Sequence, residues 1–131
     1  MADQACATDA TAAGLAGQFR AFIADAAGGP ELRVPLGEPW HRVDGIPWAS
    51  YDQLSATSPT LLDTFMTVKA DGSLWSGSPT WVGTAANCSL WTTTSGTGTA
   101  GDPGASQLSD VRDVPGVWTC TSSFPVICLQ E

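Results

Sequence analysis

Gln18-Phe19-Arg20-Ala21-Phe22-Ile23-Ala24 is the stretch on which the fold turns. Phe19 and Phe22 stand three apart, as on one face of a helix, while the Phe and Ile content and the flanking Gly17 and Gly28-Gly29 suit a strand. Periodicity leaves both readings open. Upstream, residues 3–13 are Ala-rich, with Cys6, Ala10 and Ala13 at helical spacing. Asp3 is placed to cap that helix and Gly14 to stop it.

Downstream, residues 28–48 carry four prolines and four glycines, which predicts an irregular, extended segment. Ser50 can cap a short helix through Leu54. An apolar run, Leu61 to Val68, leads into Ala70-Asp71-Gly72-Ser73, a hairpin-turn signature after which Leu74-Trp75 should start the returning strand. Residues 92–107 are nearly all Thr, Ser, Gly and Ala and predict a long polar loop. Short strands are expected near Val117-Trp118-Thr119 and over Pro125 to Leu129. There is no fixed-period repeat, and the sum is a single α+β domain spanning 1–131.

The chain has 131 residues, enough to bury roughly two thirds of its unfolded surface around one core. Hydrophobic residues make up 43%, which argues against disorder, and charged residues only 14%, so Thr, Ser, Gly and Ala must cover the surface. Thirteen acids against five bases give a formal charge of -8. The bases, Arg20, Arg33, Arg42, Lys69 and Arg112, are scattered, so nucleic acid, heparin and anionic membrane are poor partners. No stretch approaches the ~20 apolar residues of a membrane span. Met1-Ala2-Asp3-Gln4 lacks the basic-then-apolar pattern of a signal peptide. A secreted or cell-surface placement therefore implies a mature domain or an export signal outside these residues.

Four cysteines, Cys6, Cys88, Cys120 and Cys128, form no CxxC pair, and His41, the single histidine, has no cysteine near it in sequence. That spacing disfavours zinc and suits two disulfides in an oxidising compartment; sequence alone allows three pairings.

Several blocks resemble the endostatin domain of collagens XV and XVIII, and more closely the bacterial endostatin-like domains of leptospires and myxobacteria. They are Ala2 to Cys6 leading to Gly14-Leu15-Ala16-Gly17-Gln18-Phe19-Arg20-Ala21-Phe22; Leu74-Trp75-Ser76-Gly77 with Asn87-Cys88-Ser89-Leu90-Trp91; and Cys120 to Ser123 with Val126 to Glu131. Arg33 to Pro35 and Pro39-Trp40 to Gly45 resemble the bacterial branch. The resemblance runs nearly end to end. It implies a C-type-lectin-like fold, makes residues 18–24 a strand, and implies nested disulfides, Cys6 with Cys128 and Cys88 with Cys120.

Three properties of that family are not carried over. The arginine-rich heparin surface has no counterpart, and neither does the N-terminal histidine cluster that binds zinc. Calcium-dependent lectins of the fold supply carboxylates in a long loop, but the residues between Gly77 and Cys88 contain none, so no calcium, other metal or cofactor is expected.

Individual residues sharpen the expectation. His41 reads as a hydrogen-bonding loop residue, since no nucleophile motif accompanies it. Asp110 and Asp113, with Asp102 upstream, could form an acid pair for glycoside hydrolysis but read better as solvated loop charges. Asn87-Cys88-Ser89 fits the N-glycosylation pattern, but a disulfide at its centre should silence it. Among six tryptophans, Trp75, Trp91 and Trp118 are expected in the core, Trp40 and Trp48 in packing roles, and Trp81 as an exposed aromatic platform. The leading functional expectation is a non-enzymatic, calcium-independent extracellular binding module for a protein or glycan. Its face would combine Trp81 with Asp102, Asp110 and Asp113 and meet extracellular matrix or another basic protein. A self-assembling surface domain is the alternative, and an acid-pair hydrolase the third.

Overall fold

The computed structural model describes residues 2–33, 39–57, 60–75, 77, 79–84, 86–116 and 118–130. It is a small α+β assembly with one long helix, short antiparallel strands and two disulfides.

Helix α1 (Ala2–Ala12) buries Cys6 and Ala10, two of the three residues that the spacing marked; the third, Ala13, lies past its end and is half-buried. Gly14 ends it with a positive φ of 71°, and the Leu15 N–H reaches back to the Ala10 carbonyl at 2.9 Å. Asp3 is not a cap. It lies inside the first turn, where its carboxylate accepts the Ala21 N–H at 2.9 Å and the Arg33 guanidinium at 2.6 Å. A carboxylate within reach of a fixed amide and an arginine ties α1 to the strand beside it instead of closing its own helix.

Of the opening stretch, expected as strand over 18–24, only residues 19–21 are strand. β1 (Phe19–Ala21) pairs antiparallel with β8 (Cys128–Gln130), in the register Phe19 to Gln130. Beyond it Phe22 N–H bonds the Ile127 carbonyl at 2.8 Å and Ala24 N–H the Val82 carbonyl at 2.7 Å, while Ile23 N–H turns back onto the Ala21 carbonyl at 3.0 Å. Ala21 through Ala24 are all buried, so both faces are covered and the alternation that marks a half-exposed strand is absent. Val126 is bridged in parallel to β4 (Thr80–Trp81), which pairs antiparallel with β6 (Ala100–Gly101); β5 (Thr97–Gly98) pairs with β7 (Trp118–Thr119).

Two sequence expectations are corrected. Residues 28–48 are not uniformly irregular, because Trp40–His41 (β2) and Pro47–Ala49 (β3) form a bulged antiparallel hairpin. Gly45, at φ 81°, turns the chain between them. Residues 92–107 are not one polar loop either, since they contain β5 and β6. Gly98, Thr99, Ala100 and Gly101 are buried there. A Cβ on Gly98 would stand 2.7 Å from the Trp81 ring and 3.0 Å from the Cys88 sulfur. Small residues here permit close approach between strands and do not mark a solvated turn.

Helix α2 (Tyr51–Ser55) has the expected Ser50 cap, closed reciprocally by Gln53. α3 (Cys88–Trp91) is a left-handed turn with φ between 51° and 63° at all four residues. α4 (Leu108–Arg112) buries Leu108 and Val111. The main core joins Phe22, Trp48, Leu54, Leu108, Val111, Ile127 and Leu129. The disulfides are nested, Cys6–Cys128 and Cys88–Cys120. The first staples α1 to β8, packed among Ala21, Ile23 and Val126.

Candidate binding groove

A groove of about 690 Å³ opens between α1, the β2–β3 hairpin and the hairpin at residues 67–75. Its floor is Phe19, Val126 and Ile127 from the β1–β8 region, beside the Cys6–Cys128 bridge. Trp40 and Val43 form one rim, and Met66, Val68, Lys69 and Trp75 the other.

Each rim is a turn closed by its own aspartate. In the first, Arg42 N–H bonds the Ile46 carbonyl at 2.9 Å and Gly45 N–H the Arg42 carbonyl at 2.8 Å. The Arg42 guanidinium is paired with the Asp44 carboxylate and also donates to the Phe65 carbonyl at 3.0 Å, joining the hairpin to the segment before the second turn. Hydrogen bonding from Arg42 holds the Asp44 carboxyl below the usual carboxylate range and raises the guanidinium pKa in turn. In the second, Gly72 adopts φ 81°, and Lys69 N–H bonds the Ser73 carbonyl at 2.9 Å. Asp71 accepts both the hydroxyl and the N–H of Ser73, at 2.6 and 2.9 Å, and these bonds lower its pKa. The hairpin turn thus forms, as a three-residue loop of Ala70, Asp71 and Gly72, and an isolated bridge from Val68 to Leu74 stands in place of the expected returning strand. The Lys69 ammonium lies over the Trp75 ring, 5.9 Å from its centroid.

The rim is apolar on its outer side. Val43 and Ile46 are each 44% exposed and Phe65 46%. Elsewhere the bases are drawn into structure: Arg33 bridges Asp3 and Asp25, and Arg112 bridges Glu31 at 2.8 Å. The groove therefore holds Arg42, Lys69 and His41 in a molecule whose formal charge is -8.

The face expected from sequence is not assembled. Trp81 is only 8% exposed, with its ring against Trp91 at 5.7 Å and Phe124 at 5.0 Å between centroids, so it cannot serve as an exposed platform. Glycine at position 98 creates the slot that the indole fills. Asp102, Asp110 and Asp113 are exposed. Asp102 N–H bonds the Asp110 carbonyl at 2.8 Å, which brings those two segments together, and the Asp102 carboxylate closes its own turn onto Gly104 N–H at 2.8 Å. Asp113 ends α4 and lines a separate hollow with Glu31 and Arg112. His41 is exposed on β2 and lines the groove. Trp48 is wholly buried in the core, as a packing role requires, and Trp40 is half-buried. Trp75, expected in the core, is half-buried on the groove, while Trp91 and Trp118 are half-buried against Trp81 and Phe124. Lys69, Met66 and Trp75 are the groove residues that sequence reading missed. The Asp71-Gly72 signature was the available signal, since it sets 67–69 opposite 73–75.

Among the described residues no group of three or more His, Cys, Asp and Glu side chains is placed to hold a metal ion. None of the helices among them is long and apolar enough to cross a membrane. No protein-family profile matches the chain, and no curated protein is significantly similar to it.

Proposed function

We propose that the chain is an endostatin-like domain of C-type-lectin-like fold that acts as a non-enzymatic, calcium-independent binding module of the extracellular space or cell surface. The observation that carries this reading is the open groove: two half-buried tryptophans, a cation and apolar rims around about 690 Å³, within the range of ligand sites. Two disulfides in a small acidic domain favour an oxidising compartment. Asp102, Asp110 and Asp113 lie outside the groove, so the carboxylates considered for hydrolysis do not face its volume.

The test is an array of extracellular proteins and glycans probed with the chain in chelator. Binding should survive chelation and fall at least about tenfold for Trp75→Ala and Val43→Glu. A signal that neither substitution weakens, or that chelator abolishes, defeats the reading. Exposed Val43, Ile46 and Phe65 favour a second reading, in which this rim packs against copies of the chain. Light scattering would then show mass rising with concentration, and Val43→Glu would prevent it.

A further inference from the structure

We infer that the groove takes an acidic peptide: an extended segment of a partner protein that sets an apolar side chain against Trp40, Met66 and Trp75 and a carboxylate on Lys69. The inference rests on the groove being the binding site and adds the chemistry of its occupant.

The lining selects protein over sugar. Pro39, Trp40, Val43, Met66, Val68 and Trp75 give an apolar wall. Exposed Ile46 and Phe65 continue it outward, Phe65 through its link to Arg42. Aromatic residues and methionine are enriched at protein interfaces, and methionine adapts to side chains of varied shape. A sugar needs many convergent hydrogen-bonding groups, whereas the rim amides at Arg42, Gly45, Lys69, Gly72 and Trp75 are already bonded within the chain. For the same reason these rims offer little for strand addition, so recognition falls to side chains.

Charge selects the acid. Arg33 and Arg112 are bridged away from the groove and Arg42 is matched by Asp44, whereas Lys69 forms no ion pair among the described residues. Its ammonium is held over Trp75, so a carboxylate meeting it also meets the ring's edge. Asp9 on the α1 wall and Asp71 beside Lys69 are the opposing charges. They limit the ligand to a local acid contact. A polyanion would face the whole field of the molecule.

The experiment pans a random dodecapeptide display library against the full chain and then measures the enriched peptides by fluorescence polarisation. The expected peptides join Asp or Glu to Leu or an aromatic. Lys69→Glu should weaken them at least about tenfold, and the library panned on that variant should turn to Lys and Arg. Lys69 and Val43 are exposed, so unchanged melting of their variants will show intact folding. Peptides lost with Trp75→Ala and Val43→Glu but indifferent to Lys69→Glu overturn the acidic-peptide inference and leave the groove reading standing. So does an oligosaccharide that binds the groove where no peptide enriches. Peptides indifferent to all three substitutions overturn both.

Discussion

Trp81 and Trp75 come from similar local sequence, each near proline, glycine and serine, yet they end in opposite surroundings. Trp81 is 8% exposed, in a slot made by Gly98, Ala100 and the Cys88–Cys120 bridge, with Phe124 and Trp91 against its ring. Trp75 follows a tight surface turn and is half-buried, with the Lys69 ammonium over its ring. The difference is made by partners distant in sequence. A tryptophan is buried where small residues of another strand leave a volume for it, and composition around the tryptophan itself does not report that volume.

The disulfides give the largest test of this contrast. Cys6–Cys128 closes 122 residues and Cys88–Cys120 closes 32. The loop-entropy relation gives roughly 5 and roughly 4 kcal/mol for them. Urea unfolding should place the double Cys6→Ala/Cys128→Ala variant below the Cys88→Ala/Cys120→Ala variant. The outer bridge also underlies the groove floor, so its removal should weaken groove ligands in protein that is still folded. The inner one should spare them.

The tryptophans break the comparison directly. Trp81→Ala should cost about 3–5 kcal/mol, as for a large aromatic lost from a core, and Trp75→Ala less than about 1 kcal/mol. Ligand binding should show the reverse order among folded molecules. Equal losses of stability in urea would mean that the two sites are not different in kind.

What could be read from sequence divides by the same principle. The Ser50–Gln53 cap and the Asp71-Gly72 turn are local, and each forms as read. The path of residues 19–24 is not decidable from their own pattern, because Phe22 faces the main core while Ala21 and Ile23 face the disulfide cluster. Residues 97–101 fall inside the stretch 92–107 that reads as loop, because Thr, Gly and Ala are turn-like in composition. Their burial depends on Val111, Trp81 and Cys88, which lie elsewhere in the chain. The groove draws on residues near 9–19, 39–45, 66–75 and 125–130, so no single window contained it. Trp40 and Trp75 read from sequence as packing or core residues, and only the fold sets them around one hollow.

A smaller effect of opposite sign is expected at α3, on the Trp81 side. Four residues with side chains hold left-handed φ there, a conformation costing an L-residue roughly 1–2 kcal/mol. The Cys88 bridge, the Leu90 N–H on Asn87 at 3.1 Å and the Trp91 indole on the Ala24 carbonyl at 2.8 Å oppose that cost. Leu90 is 47% exposed, so Leu90→Gly gives up little packing and relieves the backbone. It should stabilise the chain by about 1 kcal/mol in urea. A loss of that size would show that the Leu90 side chain is worth more than the strain.

The smallest effect belongs to the groove rims and depends on pH. Asp44 and Asp71 both have lowered pKa values in the folded chain, through hydrogen bonds from Arg42 and from Ser73. A depressed folded pKa means that their contribution is complete above the unfolded carboxylate value, ~3.9, and is lost as pH falls through the folded one. Both groups are exposed, so global stability should change little, and the response should be local. Amide shifts of residues 42–46 and 69–73 should therefore move together in acid, at a pH where those of 80–82 and 98–101 stay fixed. Asp44→Asn and Asp71→Asn should remove the response from their own turns alone. Carboxyl titrations of Asp44 and Asp71 at or above ~3.9 would show that the turns are not held by these hydrogen bonds, and the rims would then owe their shape to apolar packing of Val43, Phe65 and Trp75.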